Sequence, residues 1–148
     1  MTDGSASDGD GAPAIGATIP ALFSLAGAVA TARGPGSGLG RAFAEALAEA
    51  GASVVLAGRT RGALEETAAG MPEGRSLVVP TDIASEAGVE ALFEAVDKAF
   101  GRIDILVNNA AVPPRPAPAH ELALDDWRSV IDVDLTGTFL CARAALKR

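Results

Sequence analysis

The chain has 148 residues, of which 49% are hydrophobic and 21% charged, enough for one globular domain with a core and too few for two. A net charge of -7 and few aromatic residues leave no positive footprint for a nucleic-acid backbone. One cysteine, Cys141, and one histidine, His120, exclude a disulfide framework and a metal-ligand cluster, and a reducing cytoplasm is the expected location.

Residues 1–20 are mostly Gly, Ala, Ser, Asp and Pro, a composition that cannot bury enough surface to offset the entropy of ordering. They are expected to form a disordered tail, with the folded unit over 21–148. Asp3, Asp8 and Asp10 stand where an export signal would be basic, and no apolar run approaches the roughly 18 residues of a membrane span.

From Leu25 onward short apolar blocks alternate with longer stretches at helical spacing, the pattern of alternating strands and helices. The first predicted strand covers 28–33. Arg33-Gly34-Pro35-Gly36-Ser37-Gly38-Leu39-Gly40 follows it, placed where a phosphate-binding turn would lie between a strand and a helix. Glycine lets backbone approach a pyrophosphate, and a helix N-terminus offers free N–H groups and the positive end of its dipole. A flexible Gly-Pro loop is the alternative reading of that run.

Leu39, Phe43, Leu47 and Ala50 form the predicted inner stripe of the next helix, with Arg41, Glu45 and Glu49 away from it and Gly51 ending it. The second strand, 53–58, ends about 18 residues after Gly40, where a dinucleotide fold meets the adenosine ribose. An acidic residue there would bind a ribose hydroxyl. Gly58-Arg59 instead offers room and positive charge for a 2′-phosphate, which favours NADP(H) over NAD(H). A surface arginine on a solvated loop is the bland counterpart.

The third strand is predicted over 76–81, and Asp82 just beyond it has two readings, a helix cap or a ligand contact. Val89, Leu92, Phe93, Val96 and Phe100 fall at i, i+3, i+4, i+7 and i+11 of a helix over about 85–100, capped by Ser85 and ended by Gly101. The fourth strand, 103–107, runs into Asn108-Asn109-Ala110-Ala111, amides able to tie strand ends together beside small residues that leave room for a flat ring.

A last helix is predicted from about Asp125, with Trp127, Val130, Ile131 and Leu135 on its inner side. Asp134 falls on that same stripe. A carboxylate there either has a hydrogen-bonding role in a site or the helix is rotated to leave it in water. The whole reads as an α/β fold, a Rossmann-type doubly wound parallel sheet truncated after the fourth strand and the following helix.

Gly34, Gly38 and Gly40 in their spacing, Asp82, Asn108-Asn109-Ala110 and the stretch Trp127 through Phe139 resemble the short-chain dehydrogenase/reductase family over about 22–148. The resemblance is to the cofactor-binding N-terminal half of such an enzyme. Leu22 to Gly27 and Gly58-Arg59 look most like bacterial sugar-acid and polyol dehydrogenases, the gluconate 5-dehydrogenase type among them. By that resemblance Gly34, Ser37, Gly38 and Leu39, with Gly40, wrap the pyrophosphate, and Arg59 meets the adenosine phosphate. Asp82 and Ile83 flank the adenine, while Asn108 and Ala110 line the nicotinamide ribose.

The family's Ser and Tyr-x-x-x-Lys, the Tyr acting as acid and base with its pKa lowered by the Lys, have no counterpart, since the chain contains no tyrosine. Arg33 replaces the usual Thr before the first glycine, and the first strand's end is expected to be strained. Ala111 replaces a Gly, and Asp134 the Asn that holds a proton-relay water. Asp134 is therefore the single catalytic candidate. The resemblance implies an NAD(P)-dependent oxidoreductase moving hydride between nicotinamide and a carbonyl or alcohol, assembled as a homodimer or homotetramer. The competing expectation is a non-catalytic dinucleotide-binding or interaction module whose partner covers the open sheet edge.

Overall fold

The computed structural model describes residues 19–36, 38–113 and 116–148. A short turn of helix, α1 (Ile19–Leu22), precedes β1 (Val29–Arg33), after which come α2 (Gly38–Glu49), β2 (Ser53–Gly58), α3 (Arg61–Ala69), β3 (Ser76–Pro80), α4 (Glu86–Phe100) and β4 (Ile105–Asn108). Then follow α5 (Leu124–Val130), a π-helical stretch over Ile131–Thr136, and α6 (Gly137–Ala145). These last three run on without a break, because the backbone at both junctions stays right-handed helical. The predicted tail lies outside the described residues except for Ile19 and Pro20, which belong to α1.

The four strands are parallel, in the order β3-β2-β1-β4, so the chain winds outward in one direction and then crosses back past its start. Register places Leu77, Val55, Thr31 and Leu106 in one row, and Val78, Leu56, Ala32 and Val107 in the next. Successive side chains point to opposite faces of a sheet, so the two rows serve different layers. Ala30, Ala32, Val54 and Leu56 pack with Ala44 and Ala48 of α2 and Leu64 of α3. Val55 and Ala57 pack on the other face with Val89, Leu92, Phe93 and Val96 of α4 and Leu140 and Cys141 of α6. Burial on both faces explains why β2 reads as an unbroken apolar run.

Local signals fix the ends of α4 as expected. The Ser85 side chain accepts the Gly88 N–H at 3.2 Å, and Gly101, at φ +69°, closes the helix with its N–H on Asp97 O. Gly51, at φ +105°, follows the end of α2.

Two expectations are corrected, and one helix is added. On α2 the buried stripe is Gly40, Ala44 and Ala48, whereas Leu39 is 70% and Phe43 43% exposed. The helix sits too close to the sheet for large side chains: a Cβ on Gly40 would lie 2.1 Å from Gly34 O. Trp127 and Leu135 are exposed rather than inward, and neither α5 nor the π-helical stretch buries a residue. The wider π turn changes the angular step per residue, so a stripe drawn at 3.6 residues per turn drifts off the face that packs. Finally, α3 carries no periodic apolar stripe, only Leu64 and Thr67 being buried, which is why apolar spacing alone does not reveal it. No helix among the described residues is long and apolar enough to cross a membrane.

Candidate functional site

At the C-terminal ends of the strands a cleft of about 440 Å³ opens between the Gly-rich turn, the ends of β2 and β3, and the loop after β4. In open α/β sheets this is where ligands bind, at the point where strand order reverses, here between β1 and β4. Its walls bring together Gly34, Gly58, Arg59, Asp82, Asn109 and Val112, with Ile83, Ala110 and Val133 beside them.

The turn after β1 is held tightly. Gly34 has φ +71°, and its N–H donates to Ala57 O at 3.0 Å. A Cβ on Gly34 would stand 2.8 Å from Ala110 Cα, so the turn and the loop after β4 touch backbone to backbone. Thr67 on α3 donates its hydroxyl to Pro35 O at 2.8 Å, and Arg41 on α2 donates to Gly36 O at 3.3 Å. Gly38 opens α2 at φ +55° with open space around it, so its constraint is backbone conformation, whereas crowding belongs to Gly34 and Gly40. Leu39 is exposed on α2 and Gly40 is buried under Gly34. Ser37 lies outside the described residues.

Arg59 is exposed at the cleft's rim, beyond the end of β2. Asp82 is exposed and accepts the Ala84 N–H at 3.1 Å, a turn contact, while Ser85 caps α4. Of the two readings of Asp82, the helix cap thus passes to Ser85. Ile83 is buried, and a Cβ on Gly137 would lie 2.9 Å from its carbonyl oxygen, which sets the start of α6 directly against the end of the β3 loop.

The two amides at the end of β4 separate. Asn109 reaches into the Gly-rich turn, its Nδ2 lying 2.6 Å from where a Cβ on Gly40 would be. Asn108, expected at a ribose, is not among the residues lining the cleft, and its side-chain oxygen accepts from Nη1 of Arg33. Arg33 is wholly buried, the largest such side chain among the described residues. Nη1 also donates to Thr138 Oγ1 at 3.2 Å, and Nη2 to Val133 O at 3.4 Å. Thr138 Oγ1 donates in turn to Asp134 O at 2.6 Å.

Burial pulls the Arg33 guanidinium below its ordinary value, a pull that neighbouring Cys141 and Asp134 oppose. The same burial pushes the Cys141 thiol up, with Arg33 acting against it. Among the described residues, Thr31 Oγ1 and Arg33 Nε are buried without a hydrogen-bond partner. The end of β1 shows no backbone sign of the expected strain: no non-glycine residue described has a positive φ. Asp134 is half-buried, and its Oδ1 accepts the Val112 N–H at 2.9 Å. Sequence reasoning missed Arg33 and Thr138 as partners. The signal was available, since period-two alternation puts Arg33 on the same face as Thr31, beneath α6.

A dinucleotide fits these residues on their geometry. Two positive-φ glycines bare the backbone at the N-terminus of α2, a cationic side chain stands at the far rim, and a carboxylate lies between.

The fold and this cleft define a Rossmann-type nucleotide-binding protein, and the chain belongs to the short-chain dehydrogenase family, whose model matches residues 28–148. It is 43% identical over 129 residues to the short chain dehydrogenase/reductase astE of Aspergillus oryzae, covering 85% of this chain and 49% of that protein. It is 44% identical over 128 residues to D-threitol dehydrogenase of Mycolicibacterium smegmatis, with 85% and 49% covered. Among solved structures, the 3-ketoacyl-(acyl-carrier-protein) reductase of Brucella melitensis complexed with NADH superposes with a TM-score of 0.78 at 37% identity, over 81% of this chain and 49% of that one. The chain spans about half the length of the curated relatives it matches.

Proposed function

We propose that this chain supplies the dinucleotide-binding half of an NADP(H)-preferring oxidoreductase acting on a carbonyl or alcohol, with a sugar acid or polyol as substrate. The observation that carries the cofactor preference is Arg59 standing at the cleft rim, where the end of β2 offers Gly58 and no acidic residue. In this reading the backbone of Gly34, Gly36 and Gly38 and the N-terminus of α2, from Leu39 to Gly40, receive the pyrophosphate. Arg59 pairs with the 2′-phosphate. Asp82 and Ile83 hold the adenine, and Ala110 leaves space for the nicotinamide ribose.

When bound, the nicotinamide would give or take the hydride. The chain's residues would bind and orient it, and Asp134, whose Oδ1 accepts the Val112 N–H, would hold a proton-relay water. The similarity to D-threitol dehydrogenase supports a polyol-type substrate, and a gluconate 5-dehydrogenase-like activity belongs to the same proposal. The exposed Leu135, Phe139 and Leu146 support assembly as a homodimer or homotetramer through the last helix, and the single cysteine supports a cytoplasmic location.

A second reading is dinucleotide binding without turnover, in keeping with a cleft to which these 148 residues bring no tyrosine. One experiment addresses both. Titration with NADPH and NADH is expected to show binding of both, tighter for NADPH. Arg59→Asp should then weaken NADPH by on the order of tenfold or more relative to NADH, the scale of a lost charge-assisted hydrogen bond. Equal losses would refute the cofactor preference. Dinucleotide binding with no alcohol oxidation by the whole protein that carries this sequence would select the non-catalytic reading.

A further inference from the structure

Arg33 is an unusual occupant of a central parallel strand, a fully buried guanidinium at the end of β1, in the layer beneath α6. A buried cation is tolerated when its donors are satisfied and a counter-charge is close. Its Nη donors go to three places, Asn108 at the end of β4, Thr138 in α6, and the carbonyl of Val133 inside the π-helical stretch, while Nε has no partner among the described residues. Of these, Val133 lies in the wide turn itself, and Thr138, just beyond it, passes the connection to the Asp134 carbonyl. The Asp134 carboxylate then takes the Val112 N–H, and Val112 and Val133 both line the cleft. One connected path thus runs from β1, under the sheet end, to the inner wall of the site. Helices widen to π turns most often where function needs a re-aimed residue. Here the widening coincides with the guanidinium's grip.

We propose that Arg33 and Asp134 form an interdependent pair, coupled through Thr138 and the π-helical turn, in which Arg33 is a positioning residue: it fixes that turn so that the Asp134 carboxylate meets Val112 and sets the inner wall of the cleft. Neither residue is independent of the other. Without Asp134 the turn that Arg33 grips loses its hold on Val112; without Arg33 the half-buried carboxylate loses the anchored turn that aims it. The proposal rests on the dinucleotide reading for its functional consequence but not for the existence of the pair.

The test is a double-mutant cycle on the whole protein that carries this sequence, with Arg33→Met, Asp134→Asn and the two combined, reading Tm and the dissociation constants of NADPH and NADH. Each single substitution is expected to lower Tm by roughly ten degrees. The double variant should recover much of that loss and bind at least about fivefold more tightly than the product of the single effects predicts. Effects that multiply to within about twofold in binding and add in Tm would overturn the pair. If a single variant does not fold, a folded double variant supports the pair and a double variant that also fails to fold overturns it.

Hydrogen exchange at the Val112 amide separates positioning from mere stabilisation. In folded Arg33→Met it should exchange at least about tenfold faster while the Val55 amide, deep in β2, stays protected. An unchanged Val112 amide would overturn the positioning role. Should the unaltered protein bind neither dinucleotide, the functional reading fails, while the Tm cycle and the Val112 amide still decide the pair.

Discussion

Gly40 approaches Gly34 so closely that a Cβ on it would stand 2.1 Å from the Gly34 carbonyl oxygen. Gly34 in turn abuts Ala110, so the first turn of α2, the Gly-rich loop and the segment after β4 are locked as a single backbone contact. The cleft's shape depends on that contact more than on any side chain lining it.

Gly40→Ala is therefore expected to be costly, about 3 kcal/mol, because the group it meets is backbone and cannot rotate away. Gly38→Ala should cost only about 1–2 kcal/mol, the strain of a left-handed conformation at φ +55° in otherwise open space. Urea unfolding of the two variants checks the order. Equal losses would mean that the loop relaxes freely and that the close approach is not a constraint.

Leu92→Ala, in the fully buried stripe of α4, should lose about 2–5 kcal/mol through transfer and cavity terms. Leu39→Ala, at a side chain 70% exposed on α2, should stay within about 0.5 kcal/mol. Thermal melts of this chain distinguish them. A large loss at Leu39 would return it to the core stripe that apolar spacing alone suggests.

Stability in acid should depend on Asp104. The Arg102 side chain, and then the Val29 N–H at 2.8 Å, hold its carboxyl below the ordinary carboxylate value. A depressed folded-state value means the contribution is present above the ordinary carboxylate range and is lost as pH falls through the folded value. Unfolding midpoints should thus decline below about pH 4, and Asp104→Asn should lower stability at pH 7 while flattening that decline. A variant that keeps the same acid slope would show that Asp104 does not carry it.

Cys141 should be nearly inert to thiol reagents in the folded protein, since burial both raises its thiol and denies access. A colorimetric thiol assay at pH 8 is expected to report reaction only after denaturant is added, at the rate of unfolding. Rapid labelling of the native chain would place α6 away from the sheet.

The strands and the ends of α4 are legible in the residues themselves. Buried parallel strands must be apolar on both faces, and Ser85 and Gly101 mark caps through local hydrogen bonding and φ, effects that reach only a few residues along the chain. The Gly-rich run and Arg59 are visible for the same reason: backbone permissiveness and charge are properties of single residues. The fates of Asn108, Arg33 and Asp134 were not legible. Asn108 serves a guanidinium 75 positions away, and Asp134 takes an amide 22 positions away.

Composition, spacing and turn chemistry by themselves determined that this is a Rossmann-type nucleotide-binding sheet with its cleft beyond the strand ends. Only the tertiary structure decided that α2 presents Gly40, Ala44 and Ala48 to the sheet instead of Leu39 and Phe43, and that the last helix widens around Asp134 over a buried arginine. The reason is physical. Periodicity states which residues share a face, but the distance between layers, and the cation placed between them, select which face is used.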